Sequence, residues 1–387
     1  MSENLSLTEG RFARFEKIEW WDQNLLAQSK ILVIGAGALG NEIIKNLALL
    51  GVGHIAIADM DIIEESNLTR SVLFRQNNTG SYKANCAASM AKEIYPKINT
   101  YPLVINILSE MGLGWFNWAD VVIGGLDNRE ARVFVNQSCM LTNKTWFDGG
   151  IDVLNGIVRG FSSDKGACYE CTMSSVDWQE LAQRRSCAMV LKRSELNNGA
   201  PTTPTTASVI AAMQCQEVIK FLHDMPSMIG NGWFFDGLNH DSYKVEYPIN
   251  PECMNHEDKA KIEIHEELNS ETLLSELWKL AEKNIVNLQA IDFSRELVNA
   301  LTCSNCNFEK LMLKPLEAIQ PTDVYCESCS TELTPSFIHS ITKDHPLINK
   351  TIREIGLPTW DIVWVRNSEL CIGFEISGDI PLTIEKK

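Results

Sequence analysis

Six of the chain's twelve cysteines stand in three CxxC pairs, Cys168/Cys171, Cys303/Cys306 and Cys326/Cys329. Thiolates at that spacing can close around one tetrahedral metal ion, and zinc suits such a sulfur set. "CSNC" and "CESC" are separated by 19 residues, the plan of a zinc ribbon, which predicts a structural site from Cys303, Cys306, Cys326 and Cys329. Cys168 and Cys171 need two further ligands, and "NPECMNH" offers Cys253 and His256 with the same two-residue gap. The alternative for His256 is a surface histidine beside a buried cysteine. Cys187 has no metal to join. Arg184 and Arg185 stand close before it, and neighbouring cations favour the nucleophilic thiolate. Its alternatives are an inert exposed thiol, with the arginines binding an acidic partner. Cys215, on the face of an apolar helix, reads as core, while Cys86, Cys139 and Cys371 read as buried or incidental.

A second group of residues suits a nucleotide. "GAGALG" places Gly35, Gly37 and Gly40 in GxGxxG spacing, between an apolar run and a helical pattern. Glycines there let backbone approach a phosphate, and the helix start supplies free N–H groups and positive dipole. Asp59 follows about 20 residues on, where an acid bonds ribose hydroxyls. By themselves these features fit NAD. Arg70, Arg75 and Lys83 then follow the acid closely, a concentration of cations suited to a triphosphate and its pyrophosphate leaving group. Asp127 ends a further apolar run, where an acid beside a triphosphate can hold magnesium. Taken singly, Arg70 and Lys83 are equally readable as surface charges, and Asp127 as a helix N-cap.

The elements that must position these groups alternate. "KILVI", "HIAIAD", "YPLVINI", "ADVVIGGLD" and "KTWFDGG" read as strands, with helical stretches over 41–50, about 81–95 and 128–141 between them, which predicts a mostly parallel sheet flanked by helices, a Rossmann-like α/β fold. From about 151 short runs suggest antiparallel pairing, "ASVIAAMQCQEVIKFL" an amphipathic helix, and "GWFFDGLNHDSYKVEYPIN" two more strands. The charged stretch "HEDKAKIEIHEELNS" marks a domain boundary near 257, so that 1–257 forms the nucleotide domain, with a loop at about 172–206. The region 258–387 then holds a helix near 271–283, a ribbon at 300–332 and a small α+β or β tail at 335–387. A net charge of −16 argues against nucleic acid as a partner. No run approaches a membrane span and the N-terminus lacks a signal-peptide plan, so a cytoplasmic protein is expected.

The ordered set "GAGALG", "DMD", "NLTR", "LFR", "GSYK" and "GLDNREAR" closely resembles the adenylation domain of the ThiF/MoeB/HesA and ubiquitin-activating enzyme superfamily, over roughly residues 11–257. The resemblance implies ATP-dependent adenylation of the C-terminal glycine of a ubiquitin-like or sulfur-carrier protein. It carries over roles to Asp59 and Asp61 of "DMD" around the ribose, to Asn67, Arg70 and Lys83 at the phosphates, and to Asp127 and Asn128 of "GLDNREAR" at magnesium and the reacting centre. "RFAR" implies that Arg14 reaches a partner subunit's ATP in a homodimer. Arg75 matches an arginine of the ubiquitin-activating branch, whereas Ser71 stands where glutamine is usual. A second CxxC commonly closes the family's zinc site, and His256 replaces its last cysteine here. In ubiquitin-activating enzymes the region of Cys187 carries the thioester cysteine.

These implications describe an activating enzyme that adenylates a ubiquitin-like protein, transfers it to Cys187 and hands it to a conjugating enzyme docked by the ribbon and tail. The chain also resembles compact bacterial enzymes encoded beside a ubiquitin-like protein, some of which serve phage defence. Rival readings are a sulfur-carrier adenylyltransferase, although no rhodanese-like "CR" loop is visible; a non-catalytic adaptor; and an NAD-dependent dehydrogenase, for which no catalytic acid or base emerges.

Overall fold

A computed structural model describes residues 10–184, 201–257, 259–381 and 384. Its first sheet has eight strands in the order β3-β2-β1-β4-β5-β6-β7-β8. β1 (Lys30–Ile34), β2 (His54–Ala58), β3 (Asn99–Leu103), β4 (Val121–Gly124) and β5 (Trp146–Asp152) are parallel neighbours. β6 (Asn155–Phe161), β7 (Asn231–Asp236) and β8 (Asp241–Glu246) continue the sheet antiparallel. "ILVI" and "HIAIA" are buried throughout because helices cover both faces of the parallel part, which is why they read as unbroken apolar runs.

One face packs against the helices Ala38–Leu50, Lys83–Ile94 and Pro204–Leu222 through Ile31, Val33, Ile43, Leu47, Ile55, Ala87 and Ile210. The opposite face, through Trp146 and Phe161 of β5 and β6, meets Phe116 and Val133 of the helices Gly114–Trp118 and Arg129–Leu141. Cys215 and Cys139 are buried in these two cores, as a small apolar side chain would be. No helix among the described residues is long and apolar enough to cross a membrane.

The second sheet has six strands. β11 (Glu309–Pro315), β10 (Ala290–Thr302), β13 (Ile362–Arg366), β14 (Cys371–Ile376) and β9 (Lys261–His265) follow in that order, and β12 (Thr334–Ile341) also pairs with β10. β9 lies within the charged stretch of the sequence and pairs parallel with β14, more than a hundred residues further on. One sheet therefore unites 261–265, the long β10 and the tail. The four-cysteine segment grows out of it, around the β10–β11 and β11–β12 connections. Leu277, Trp278, Ile291, Val363 and Phe374 build a separate core beneath the helix Leu274–Asn284.

The two sheets meet through buried polar contacts as well as apolar packing. Trp360, Ile362 and Trp364 enter the core around Phe116 and Trp118. Asp361, fully buried, accepts from the Leu113 N–H at 2.9 Å and the Ser294 hydroxyl at 2.5 Å. Arg295 of β10 donates to the carbonyls of Leu108 at 3.0 Å and Met111 at 2.6 Å. Its guanidinium lies 3.9 Å from Asp361. Burial pulls the Arg295 cation below its ordinary value, and the Asp361 and Glu317 carboxylates oppose that. Removing one partner of a buried charged cluster leaves the others uncompensated, at about 3–5 kcal/mol. Asp361→Ala is accordingly expected to lower denaturant stability by about 3 kcal/mol or more. A denaturation midpoint equal to wild type would show that the cluster does not hold the sheets together.

Candidate nucleotide cleft and metal clusters

A cleft of about 720 Å³ opens at the C-terminal ends of β1, β2 and β4. This is where an open parallel sheet holds its ligands. Gly35, with φ of +93°, makes the turn out of β1, and a Cβ there would lie 2.5 Å from the Gly125 carbonyl oxygen. A Cβ on Gly40 would lie 1.9 Å from the Gly35 oxygen, so the helix Ala38–Leu50 approaches the loop only because Gly40 has no side chain. Gly37 differs from both. A Cβ there would meet no protein atom within 4 Å, and its backbone lines the cleft. The protein's own packing therefore does not demand the middle glycine, whereas a ligand pressed against the loop would.

The carboxylate of Asp59 leaves β2 beside this loop. It accepts from the N–H of Ala36 at 2.7 Å and of Asp61 at 2.8 Å. Burial nevertheless raises its pKa above the ordinary carboxylate value, and nearby Lys83 only partly opposes that. Lys83 starts its helix with Nζ 2.7 Å from Asp61. Arg70 donates to the Ser66 carbonyl at 2.9 Å, and Asn67 accepts from the Glu64 N–H at 3.0 Å. Asp127 and Asn128 close the β4 side. There the Asn128 side chain, not that of Asp127, caps the helix Arg129–Leu141 by accepting from the Ala131 N–H at 2.8 Å. That removes the capping alternative for Asp127, which stays at the cleft wall.

Gly35, Gly37, Asp59, Asp61, Asn67, Arg70, Lys83, Asp127 and Asn128 thus come together around one cleft, with Ser71 beside them. Gly40 supports the loop from behind. Arg75 is outside the lining: its guanidinium donates to the carbonyls of Val72 at 2.8 Å and Phe74 at 2.9 Å, holding its own turn. Arg14, exposed at the start of the short helical turn Phe15–Lys17, also lies outside it. Cys187 and Arg185 fall outside the described residues, as does the side chain of Arg184.

Several lining and supporting groups escaped sequence reasoning. Asp148, fully buried, accepts from Arg132 at 2.9 Å and pairs with Arg159. Arg132 also donates to the Leu126 and Gly149 carbonyls at 2.7 and 3.0 Å, which fixes the loop after β4. Gln214 bridges the Gly124 carbonyl at 2.8 Å and that of Phe147 at 3.2 Å. Buried Asn41 donates to Ala36 at 2.7 Å and accepts from the Leu73 N–H at 2.9 Å, tying the glycine loop to the Arg70 segment. "GALGN" and "NREAR" carried Asn41 and Arg132 in plain view, but the partners Leu73 and Asp148 lie outside those stretches.

Both cysteine clusters assemble. The Sγ atoms of Cys168 and Cys171 are 3.7 Å apart, Cys168 and Cys253 3.6 Å, and His256 Nε2 lies 3.1 Å from Cys171. In the second cluster the contacts Cys303–Cys329 and Cys306–Cys326 are both 3.5 Å. Four sulfurs bound tetrahedrally at a Zn–S length of about 2.3 Å would stand about 3.8 Å apart, so both donor sets fit a tetrahedral ion. Burial pushes the Cys168 thiol up to about 12, so a cation bound there must displace its proton.

Fold and cleft define a doubly wound α/β domain whose strand ends carry a glycine-rich loop ringed by cations and carboxylates. The model of the ThiF family matches residues 10–255, and the chain belongs to that family. It is 39% identical over 147 residues to the SUMO-activating enzyme subunit uba-2 of Caenorhabditis elegans, covering 38% of this chain and 25% of that one. Against ubiquitin-like modifier-activating enzyme 5 of Dictyostelium discoideum it is 26% identical over 258 residues, covering 60% and 63%. The chain thus spans between a quarter and two thirds of the length of these relatives. A crystal structure of E. coli MccB with ATP shares the fold at a TM-score of 0.54 and 21% identity, over 66% of this chain and 75% of that one.

If the two donor sets act as read, the purified protein carries about two equivalents of divalent metal per chain by elemental analysis. Cys168→Ser and Cys306→Ser each remove one. A full complement in both variants would overturn the assignment.

Proposed function

We propose that the protein activates a ubiquitin-like protein: ATP adenylates the C-terminal glycine of its partner, and the acyl group passes to Cys187 and then to a conjugating enzyme. The observation that carries the first step is the unexplained middle glycine, Gly37, facing a cleft ringed by Asp59, Asn67, Arg70, Lys83 and Asp127. The loop backbone and the two cations hold the triphosphate, Asp59 accepts from the ribose, and Asp127 is the group to hold magnesium, which would neutralise charge on the phosphates. The partner's carboxylate attacks the α-phosphorus and pyrophosphate leaves. The Cys187 thiolate then attacks the acyl carbon and AMP leaves, forming a thioester.

In this reading zinc occupies both cysteine clusters, the enzyme works as a cytoplasmic homodimer with Arg14 reaching the neighbouring subunit's ATP, and the conjugation it starts serves phage defence. The ribbon and tail dock the conjugating enzyme. The family membership and the likeness to eukaryotic activating enzymes support a partner of the ubiquitin-like class.

Gly37→Ala separates ligand from packing. Because an added Cβ meets no protein atom, this variant is expected to melt with the wild type, yet to bind ATP at least about tenfold more weakly by calorimetry. Unchanged affinity would remove the phosphate from the loop.

Intact mass spectrometry tests the second step. Protein, ATP, magnesium and a ubiquitin-like protein ending in glycine should give a thiol-sensitive adduct that Cys187→Ala abolishes while adenylate formation persists. Adenylate with no cysteine adduct in the wild type would return the reaction to the sulfur-carrier type.

A further inference from the structure

The nucleotide cleft has one wall that the family's own domain does not supply. Glu317 lines it, from the short turn Leu316–Ala318 that follows β11 in the second sheet. Beside it stand Ile105, Asn106, Ile107 and Leu108, the segment that continues β3 and meets the turn Leu316–Ala318. Strand order places this wall. The glycine loop ends β1, Asp59 ends the adjacent β2, and Ile105–Leu108 follow β3, beyond the ribose acid. A nucleotide with its phosphates at the loop and its ribose on Asp59 turns its base towards that apolar segment.

Two observations tie Glu317 to this place. Arg295 of β10 holds the Leu108 and Met111 carbonyls at 3.0 and 2.6 Å, so the second sheet grips the segment Glu317 faces. Leu316 and Ile319, on either side of Glu317, are buried in the core formed by Cys303, Cys326, Val324 and Leu333. The residues that bind the metal are thus packed against those that set where the carboxylate stands.

We propose that the four-cysteine module closes the base end of the nucleotide cleft and that Glu317 is a specificity residue, accepting a hydrogen bond from the exocyclic amine of adenine. The inference rests on the nucleotide reading of the cleft. A carboxylate accepts and does not donate, so it favours the amine of adenine and opposes the carbonyl that hypoxanthine presents at the same position. Hydrogen bonds to a charged group are stronger than neutral ones, which makes discrimination of about tenfold or more a reasonable expectation. Binding is also linked to the metal: ATP bound against Glu317 favours the ordered module, and the ordered module favours ATP.

The test uses the full chain with its metals and measures affinity for ATP and ITP by calorimetry, in wild type, Glu317→Ala and Glu317→Gln. The expected result is an ATP preference of about tenfold or more in the wild type, collapsing towards parity in Glu317→Ala through loss of ATP affinity, with ITP affinity kept or improved. Glu317→Gln, which also offers an amide donor, should accept ITP better than the wild type does. Hydrogen exchange supplies an independent readout: ATP should protect peptides covering 309–320 in the wild type and less so in Glu317→Ala. ATP binding with the same ATP-to-ITP ratio in all three proteins would overturn the role of Glu317. So would wild-type binding with no protection over 309–320. No binding of either nucleotide to the wild type would instead overturn the nucleotide reading itself.

Discussion

The contact between Gly40 and the Gly35 carbonyl, so close that a Cβ would stand 1.9 Å away, sets how near the first long helix comes to the ends of the parallel strands. From that approach follows the position of the loop between them, whose N–H of Ala36 is held by Asp59. Asn41, on the first turn of the same helix, then fixes the segment that carries Arg70. A backbone contact with no side chain in it therefore governs three separate walls of one cleft. It also explains why the loop can be open at Gly37 and rigid on either side of it: the two outer glycines are confined by protein, and the middle one is left facing solvent.

Charge inside the molecule is handled by pairing rather than exclusion. Asp148 sits between Arg132 and Arg159, and Asp361 beside Arg295, all deep in a chain whose surface is strongly acidic. Such pairs contribute little net stability compared with apolar substitutes, because desolvation offsets their attraction. What they do is orient. Arg132 reaches the carbonyls of Leu126 after β4 and of Gly149 within β5, and Arg295 those of cleft-lining Leu108 and of Met111 behind it. An apolar side chain could fill either space but could not hold a loop by its oxygens.

Local signals carried most of the ThiF-family domain and, beyond it, one helix and the cysteine pairs. Apolar runs and helical periods marked β1, β2, β4 and the helices between them, because each is covered on the face its pattern announces. The glycine spacing and the two cysteine pairs of the ribbon were legible for the same reason: each is set by a few neighbouring residues. Arg75 read as a phosphate cation but turns back onto its own carbonyls, a local alternative that sequence spacing cannot distinguish from a ligand contact. β9 was hidden because "KIEIH" is short, charged and half exposed, and its partner β14 lies at the other end of the domain. Asp148, Gln214 and Arg295 were illegible too, since their roles arise only when distant strands meet.

That division bears on how the two halves of the chain depend on each other. The second sheet was expected as a ribbon followed by a separate tail, yet β12, β13 and β14 share a sheet with β9 and β10, and the ribbon is an outgrowth of it. Its attachment is made at residues 108–117, which run on from the cleft-lining segment Ile105–Leu108 into the core, through Arg295, Asp361 and Glu375. A partner, a metal or a mutation that shifts the second sheet must move those carbonyls and N–H groups, or leave buried charge unpaired. Leaving buried charge unpaired costs about 3–5 kcal/mol, which ties the position of the second sheet to that of the segment leading out of the cleft. The C-terminal region is accordingly a structural part of the site rather than an appendage to it.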